Sequence, residues 1–104
     1  MPAEQTFTDQ KIISLEEIGS KVRSWRKESR KLVFTNGCFD ILHSGHVRYL
    51  QTAASFGDIF LLGLNSDSSV RKLKGPRRPI MTQAERAYLL SALQAIDYIV
   101  IFDE

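Results

Sequence analysis

From Ser14 onward the apolar residues Leu15, Ile18, Val22 and Trp25 recur at steps of three and four, the period of a helix with one buried stripe. Ser14 stands at the N-cap position and Glu17, three residues on, completes a capping box. A short apolar run over 32–35 reads as a strand. Helical spacing returns over 45–55, with Val47, Leu50 and Ala54 facing inward, and Gly57-Asp58 breaks it. Residues 59–64 are unbroken apolar sequence of strand length, the pattern of a parallel strand covered on both faces. A short helix or turn over 66–73 leads into 74–81, where two prolines and a glycine predict a loop that is mobile without ligand. Thr82 caps a helix over 83–93 with Glu85 as box partner, and its inward stripe reads as Ala84, Ala87, Tyr88 and Ala92. Residues 98–102 form a third strand.

Strand, helix, strand, short helix, helix, strand is the order of an α/β, Rossmann-like parallel sheet with flanking helices. The first strand is expected at its centre, and the chain reads as truncated after its third strand. Residues 1–13 read as a flexible N-terminal segment and 14–104 as one domain. In such sheets ligands bind beyond the carboxyl ends of the strands, which places 36–46, 65–67 and 103–104 around one site. The edge left by the final strand is expected to be uncovered, which predicts a homodimer or larger assembly.

With 104 residues, the chain buries a modest core and its stability margin should be thin. Apolar residues at 43% and charged residues at 25% are ordinary globular values. The net charge of +2 is too small to argue for nucleic acid, and Phe39, Tyr49 and Phe56 sit in frames that predict burial rather than base stacking. The distribution of charge says more. Arg71, Lys72, Lys74, Arg77 and Arg78 cluster before the second proline, whereas Asp97, Asp103 and Glu104 make the far end acidic. A lone Cys38 excludes an internal disulfide and fits a reducing cytoplasm. No apolar run approaches the ~20 residues of a membrane span, so a cytoplasmic protein with no membrane partner is expected.

The candidate chemistry lies where the first strand meets the next helix. There Asn36-Gly37-Cys38-Phe39-Asp40 leads into His43-Ser44-Gly45-His46. A helix mouth carries unpaired N–H groups and the positive end of the peptide dipoles, which suits a phosphate. Two imidazoles there can donate to a phosphoryl oxygen as its charge builds, so the chemistry suggested is nucleotidyl transfer. Gly37 would permit a tight turn that brings backbone N–H groups to the phosphates, and Gly45 would leave room for the nucleotide. Asp40 is placed to orient a histidine or hold a sugar hydroxyl. Cys38 has no sequence-local base and is left out of catalysis. Two imidazoles without a third ligand do not make a zinc centre, so no protein metal site is expected.

The run over 34–46 resembles the first signature of the cytidylyltransferase-like nucleotidyltransferases. Gly63-Leu64-Asn65-Ser66-Asp67, Leu73-Lys74-Gly75-Pro76, Arg78-Pro79-Ile80, Glu85-Arg86-Ala87 and Ile96-Asp97-Tyr98 narrow it to the adenylyltransferase domains of bacterial ADP-heptose synthases. That resemblance implies transfer of an adenylyl group from ATP to a heptose 1-phosphate with release of pyrophosphate, on the route to lipopolysaccharide. It implies His43, His46 and Lys74 as catalytic residues. Thr35, Asn36, Gly37, Phe39, Gly45 and Arg86 would bind the nucleotide, and Asp40, Asp67 and Arg78 the sugar phosphate. Magnesium would be carried in with ATP. Family members are often dimers, and many carry a sugar kinase in front, expected here as a separate chain of the same pathway. The family's domain continues through a Ser/Thr-rich segment that nothing in these residues matches, so weak turnover or none is expected from this chain alone. Alcohol-phosphate cytidylyltransferases and pantetheine-phosphate adenylyltransferases share the histidine motif. The choice of base stays open, as does the alternative of a nucleotide-binding fragment without activity.

Overall fold

The computed structural model describes residues 9–103. Its elements run α1 (Leu15–Lys27), β1 (Leu32–Gly37), α2 (Ser44–Ala54), β2 (Ile59–Asn65), α3 (Asp67–Lys74), α4 (Gln83–Ser91) and β3 (Tyr98–Phe102). The strands form one parallel sheet in the order β1-β2-β3, with Phe34 opposite Leu61 and Leu62 opposite Ile99. The expectation that the first strand is central is therefore overturned, and β2 holds the middle. All seven residues of β2 are buried, whereas Phe34 and Asn36 of β1 are exposed. An unbroken apolar run needs cover on both faces and pairing on both edges, and only the central place supplies them.

The outer edge of β3 is not bare as expected. Ile12 bridges Ile99 in parallel, and the Ile13 amide donates to the Ile99 carbonyl at 2.9 Å. A 3-10 turn at Asp9–Lys11 precedes this bridge, and Ile13 is buried. The folded unit thus begins earlier than residue 14, while the expectation for 1–8 falls outside the described residues, as does Glu104.

One face of the sheet packs Phe60, Leu62, Leu64 and Ile99 against Leu50 of α2, Ala87 and Leu90 of α4, and Phe39 and Ile96 from the connections. On the other face Trp25 of α1 lies 5.4 Å from the Tyr98 ring, since strand side chains alternate. The capping box of α1 forms as the sequence predicts. The inward stripe of α4 does not. Arg86, Ala87, Leu90 and Ser91 are buried, while Ala84, Tyr88 and Ala92 are exposed. Apolar residues surround this helix, so period alone cannot fix its rotation, and a buried arginine does. Two aromatics also depart from expectation: Tyr49 is 54% and Phe56 64% exposed, and only Phe39 of the three is buried.

Candidate active site

The turn after β1 is made by Phe39, which takes a left-handed φ of 47°, and not by Gly37. Gly37 stays in the strand opposite Leu64, and its lack of a side chain serves the Phe39 ring. A Cβ there would stand 2.8 Å from Phe39 Cε2. Phe39 in turn presents its ring edge-on to His46, centroid to centroid 5.4 Å. The expected nucleotide-binding residues Gly37 and Phe39 therefore support an imidazole.

His43 is the N-cap of α2, a place more often held by Ser, Thr, Asp or Asn. Its Nδ1 accepts the Gly45 amide at 3.1 Å, and the His43 amide donates to Nδ1 of His46 at 3.3 Å. Two Nδ1 atoms that accept backbone N–H groups are unprotonated, so each neutral ring carries its proton on Nε2. The rings stack 3.9 Å apart. Gly45 makes this possible, because a Cβ on it would approach His43 Cε1 to 2.9 Å. The room it leaves is for the histidine. Burial first, and then the electrostatic influence of His43 and Lys74, push the His46 pKa below its ordinary 6.5. Lys74, the exposed last residue of α3, thus acts electrostatically on His46.

Behind this corner lies a buried polar knot. Arg86 is 1% exposed, and four protein acceptors take its guanidinium. Its Nη1 donates to the carbonyls of Cys38 at 2.8 Å and Asn65 at 2.7 Å, Nη2 to Asp67 Oδ1 at 2.8 Å, and Nε to the Met81 carbonyl at 3.0 Å. One side chain ties the ends of β1 and β2, the start of α3 and the approach to α4. The Arg86 guanidinium is thus engaged by protein acceptors, one of them Oδ1 of Asp67. Asp67 also does not cap α3, since Ser66 does.

Asp40, expected at the sugar phosphate, is 3% exposed and engaged within the protein. Its carboxylate accepts the amides of Ile80 at 2.7 Å and Met81 at 3.1 Å and pairs with Nε of Arg78. Burial pushes its pKa up, but the Met81 amide, the Arg78 side chain and the Ile80 amide outweigh that and hold it below the usual carboxylate value. The basic segment expected to be mobile is thus pinned at its far end. At the ends of β2 and β3, Asp103 accepts the hydroxyls of Ser66 and Ser68, a cluster that sequence spacing did not single out. Asn36 is exposed on β1, and the Thr35 hydroxyl lies 2.9 Å from that of Tyr49.

The structure thus brings His43, His46 and Lys74 to one corner and gives Asp40, Asp67 and Arg86 internal partners. Among the described residues no group of three His, Cys, Asp or Glu side chains could hold a metal. A cavity of about 300 Å³ lies at the opposite end of the sheet between Trp25, Arg30, Asp97 and Tyr98, away from the imidazoles. Among the described residues no helix is long and apolar enough to cross a membrane.

A parallel α/β sheet whose first strand feeds a helix mouth bearing two stacked imidazoles, with cations beside it, is a frame for handling phosphate. The chain belongs to the cytidylyltransferase-like family, which residues 34–104 match. It is 53% identical over its whole length to the bifunctional protein HldE of Geobacter metallireducens, covering 21% of that protein. It is 55% identical over 100 residues to the bifunctional protein HldE of Wolinella succinogenes, which covers 96% of this chain and 21% of the relative. The chain therefore spans about one fifth of the length of the curated relatives it matches. A crystal structure of the lipopolysaccharide core biosynthesis protein from Thermoplasma volcanium superposes with a TM-score of 0.65 at 33% identity, covering 70% of this chain and 58% of that one.

Proposed function

We propose that this chain carries the catalytic half of an adenylyltransferase that joins ATP to a sugar 1-phosphate, heptose 1-phosphate foremost, and releases pyrophosphate. The observation that carries the reading is the stacked His43–His46 pair, each ring anchored through Nδ1, with Lys74 acting electrostatically on His46. A phosphate oxygen of the sugar attacks the α-phosphorus, and the bond from that phosphorus to the oxygen bridging toward the β-phosphate breaks. The nucleophile is already anionic, so the site needs charge stabilisation more than a strong base. Nε2–H groups of His43 and His46 donate to phosphoryl oxygens, and Lys74 offsets the charge of the departing pyrophosphate. Asn36 and the helix mouth receive the nucleotide, and Arg78 meets the sugar phosphate. Arg86 acts on the nucleotide only through the backbone it holds. Magnesium enters with ATP and supplies further charge neutralisation on the phosphates. The similarity to the bifunctional proteins HldE and to a lipopolysaccharide core biosynthesis protein supports a sugar-phosphate substrate. A cytoplasmic setting, a separate kinase upstream and a homodimer belong to the same reading. With β3 bridged by Ile12, the outer edge of β1 is the surface to examine by sedimentation.

Mixing the chain with magnesium, ATP and heptose 1-phosphate tests the proposal, with glycerol phosphate and CTP as the competing pair. In a chain carried through the rest of the family's domain, pyrophosphate release with ATP and the sugar phosphate, lost in His43→Ala and His46→Ala, is expected. Preference for CTP with the alcohol phosphate would refute the choice of substrate. ATP binding without pyrophosphate release would favour the second reading, a nucleotide-binding piece of a longer enzyme, which the one-fifth coverage of the relatives supports.

A further inference from the structure

Asp40 has the features of a group that positions others. It is buried, it accepts three donors, and every one of them comes from the segment that carries the basic residues after α3. Its partner Arg78 keeps a third of its side chain in solvent. The pairing uses Nε, and among the described residues no hydrogen bond from Nη1 or Nη2 to a protein acceptor is present. A guanidinium held by Nε on a carboxylate presents its two outer nitrogens as a fixed fork, the geometry that suits a phosphate. The neighbouring amides of Ile80 and Met81 are fixed by the other carboxylate oxygen, so backbone and side chain are set together. Arg86 closes the arrangement from behind through the Met81 carbonyl.

We infer that Asp40 is a positioning residue that presets Arg78 and the backbone of residues 78–81 for an anionic phosphate group before any ligand arrives. The inference rests on the nucleotidyl-transfer reading for the identity of that anion, but the hold itself does not depend on turnover. A flexible arm would lose the entropy of ordering on every binding event, whereas a preset arm has already lost it on folding. Removing the carboxylate should therefore weaken phosphate binding through Arg78 and leave the central strand intact.

The experiment is amide hydrogen exchange by NMR on the 104-residue chain, together with titration by inorganic pyrophosphate. In the wild type the Ile80 and Met81 amides should exchange at least about tenfold more slowly than unprotected amides. In Asp40→Ala they should lose that protection while Leu62 and Leu64 keep theirs. Pyrophosphate affinity should fall by about fivefold or more in Asp40→Ala, yet by less than about twofold when the same change is added to Arg78→Gln. Equal losses with and without Arg78 would show a merely structural role and overturn the inference. Unprotected Ile80 and Met81 amides in the wild type would overturn it without any variant, which keeps it decidable if Asp40→Ala does not fold. Protected amides in a wild type that fails to bind pyrophosphate would sink the nucleotidyl-transfer reading while upholding the hold of Asp40 on its segment.

Discussion

The histidine corner and the Arg86 knot lie on either side of the same strand ends and are built in opposite ways. The corner is exposed or half-buried, and its imidazoles are fixed by local bonds to amides two or three residues away. The knot is buried, and Arg86 reaches partners up to 48 residues distant. Groups that act on a ligand need a surface and a defined orientation, which short-range caps provide. Groups that hold strand ends together need burial and long-range reach. Substitutions at the corner should therefore remove function and spare the fold, and substitutions at the knot should do the reverse.

The largest effect is expected at the corner. In a chain carried through the rest of the family's domain, His43→Ala and His46→Ala should each lower turnover about 10²–10⁴-fold, or about 3–5 kcal/mol of transition-state stabilisation, with little change in melting temperature. Arg86→Leu is the complement. It strands the half-buried Cys38 and the buried Asn65 carbonyls and should cost about 3 kcal/mol or more of stability, read by urea denaturation. An Arg86→Leu protein that folds normally and loses only activity would break the comparison.

Gly45→Ala sharpens it further. The added Cβ displaces the His43 ring while replacing glycine within α2, where alanine is favoured by up to about 1 kcal/mol. Turnover should fall by about tenfold with stability unchanged or higher, a separation that kinetics and thermal melts report together.

Acid should weaken the corner in a defined window. The folded-state pKa of His46 lies below its ordinary 6.5, so the unfolded chain takes up the proton more readily. The contribution is full above 6.5 and is lost as pH falls through the lower folded value. Denaturation midpoints against pH should show this slope in the wild type, and His46→Gln should flatten it. The smallest effect is expected at Cys38→Ala, within about 1 kcal/mol and without loss of activity, because Arg86 uses the Cys38 carbonyl and not its thiol.

Much of the frame was legible from pattern alone. The unbroken run of β2, the capped α1 and the motif at the mouth of α2 all follow from local spacing. The sheet order was misjudged although the same run contained the clue, because an all-apolar strand belongs between two others. The rotation of α4 was hidden for a physical reason. Arg86 counts as polar in any periodicity and is buried only because four acceptors from distant segments converge on it. Asp40 and Asp67 were assigned to substrate on the same ground, since a charged residue at a strand end looks ligand-facing until its partners are known. Gly45 was read correctly as a need for space, but the occupant is an imidazole. Lys74 and the two histidines stand in contiguous motifs and need no distant partner to be singled out.

The most direct measurement follows the His43 and His46 ring resonances as magnesium and ATP are titrated into the chain. The account predicts that both rings and the Lys74 ammonium respond first, while Trp25 and Tyr98 at the opposite cavity stay unchanged. Silent histidine rings, with the response concentrated at Trp25 and Tyr98, would contradict it.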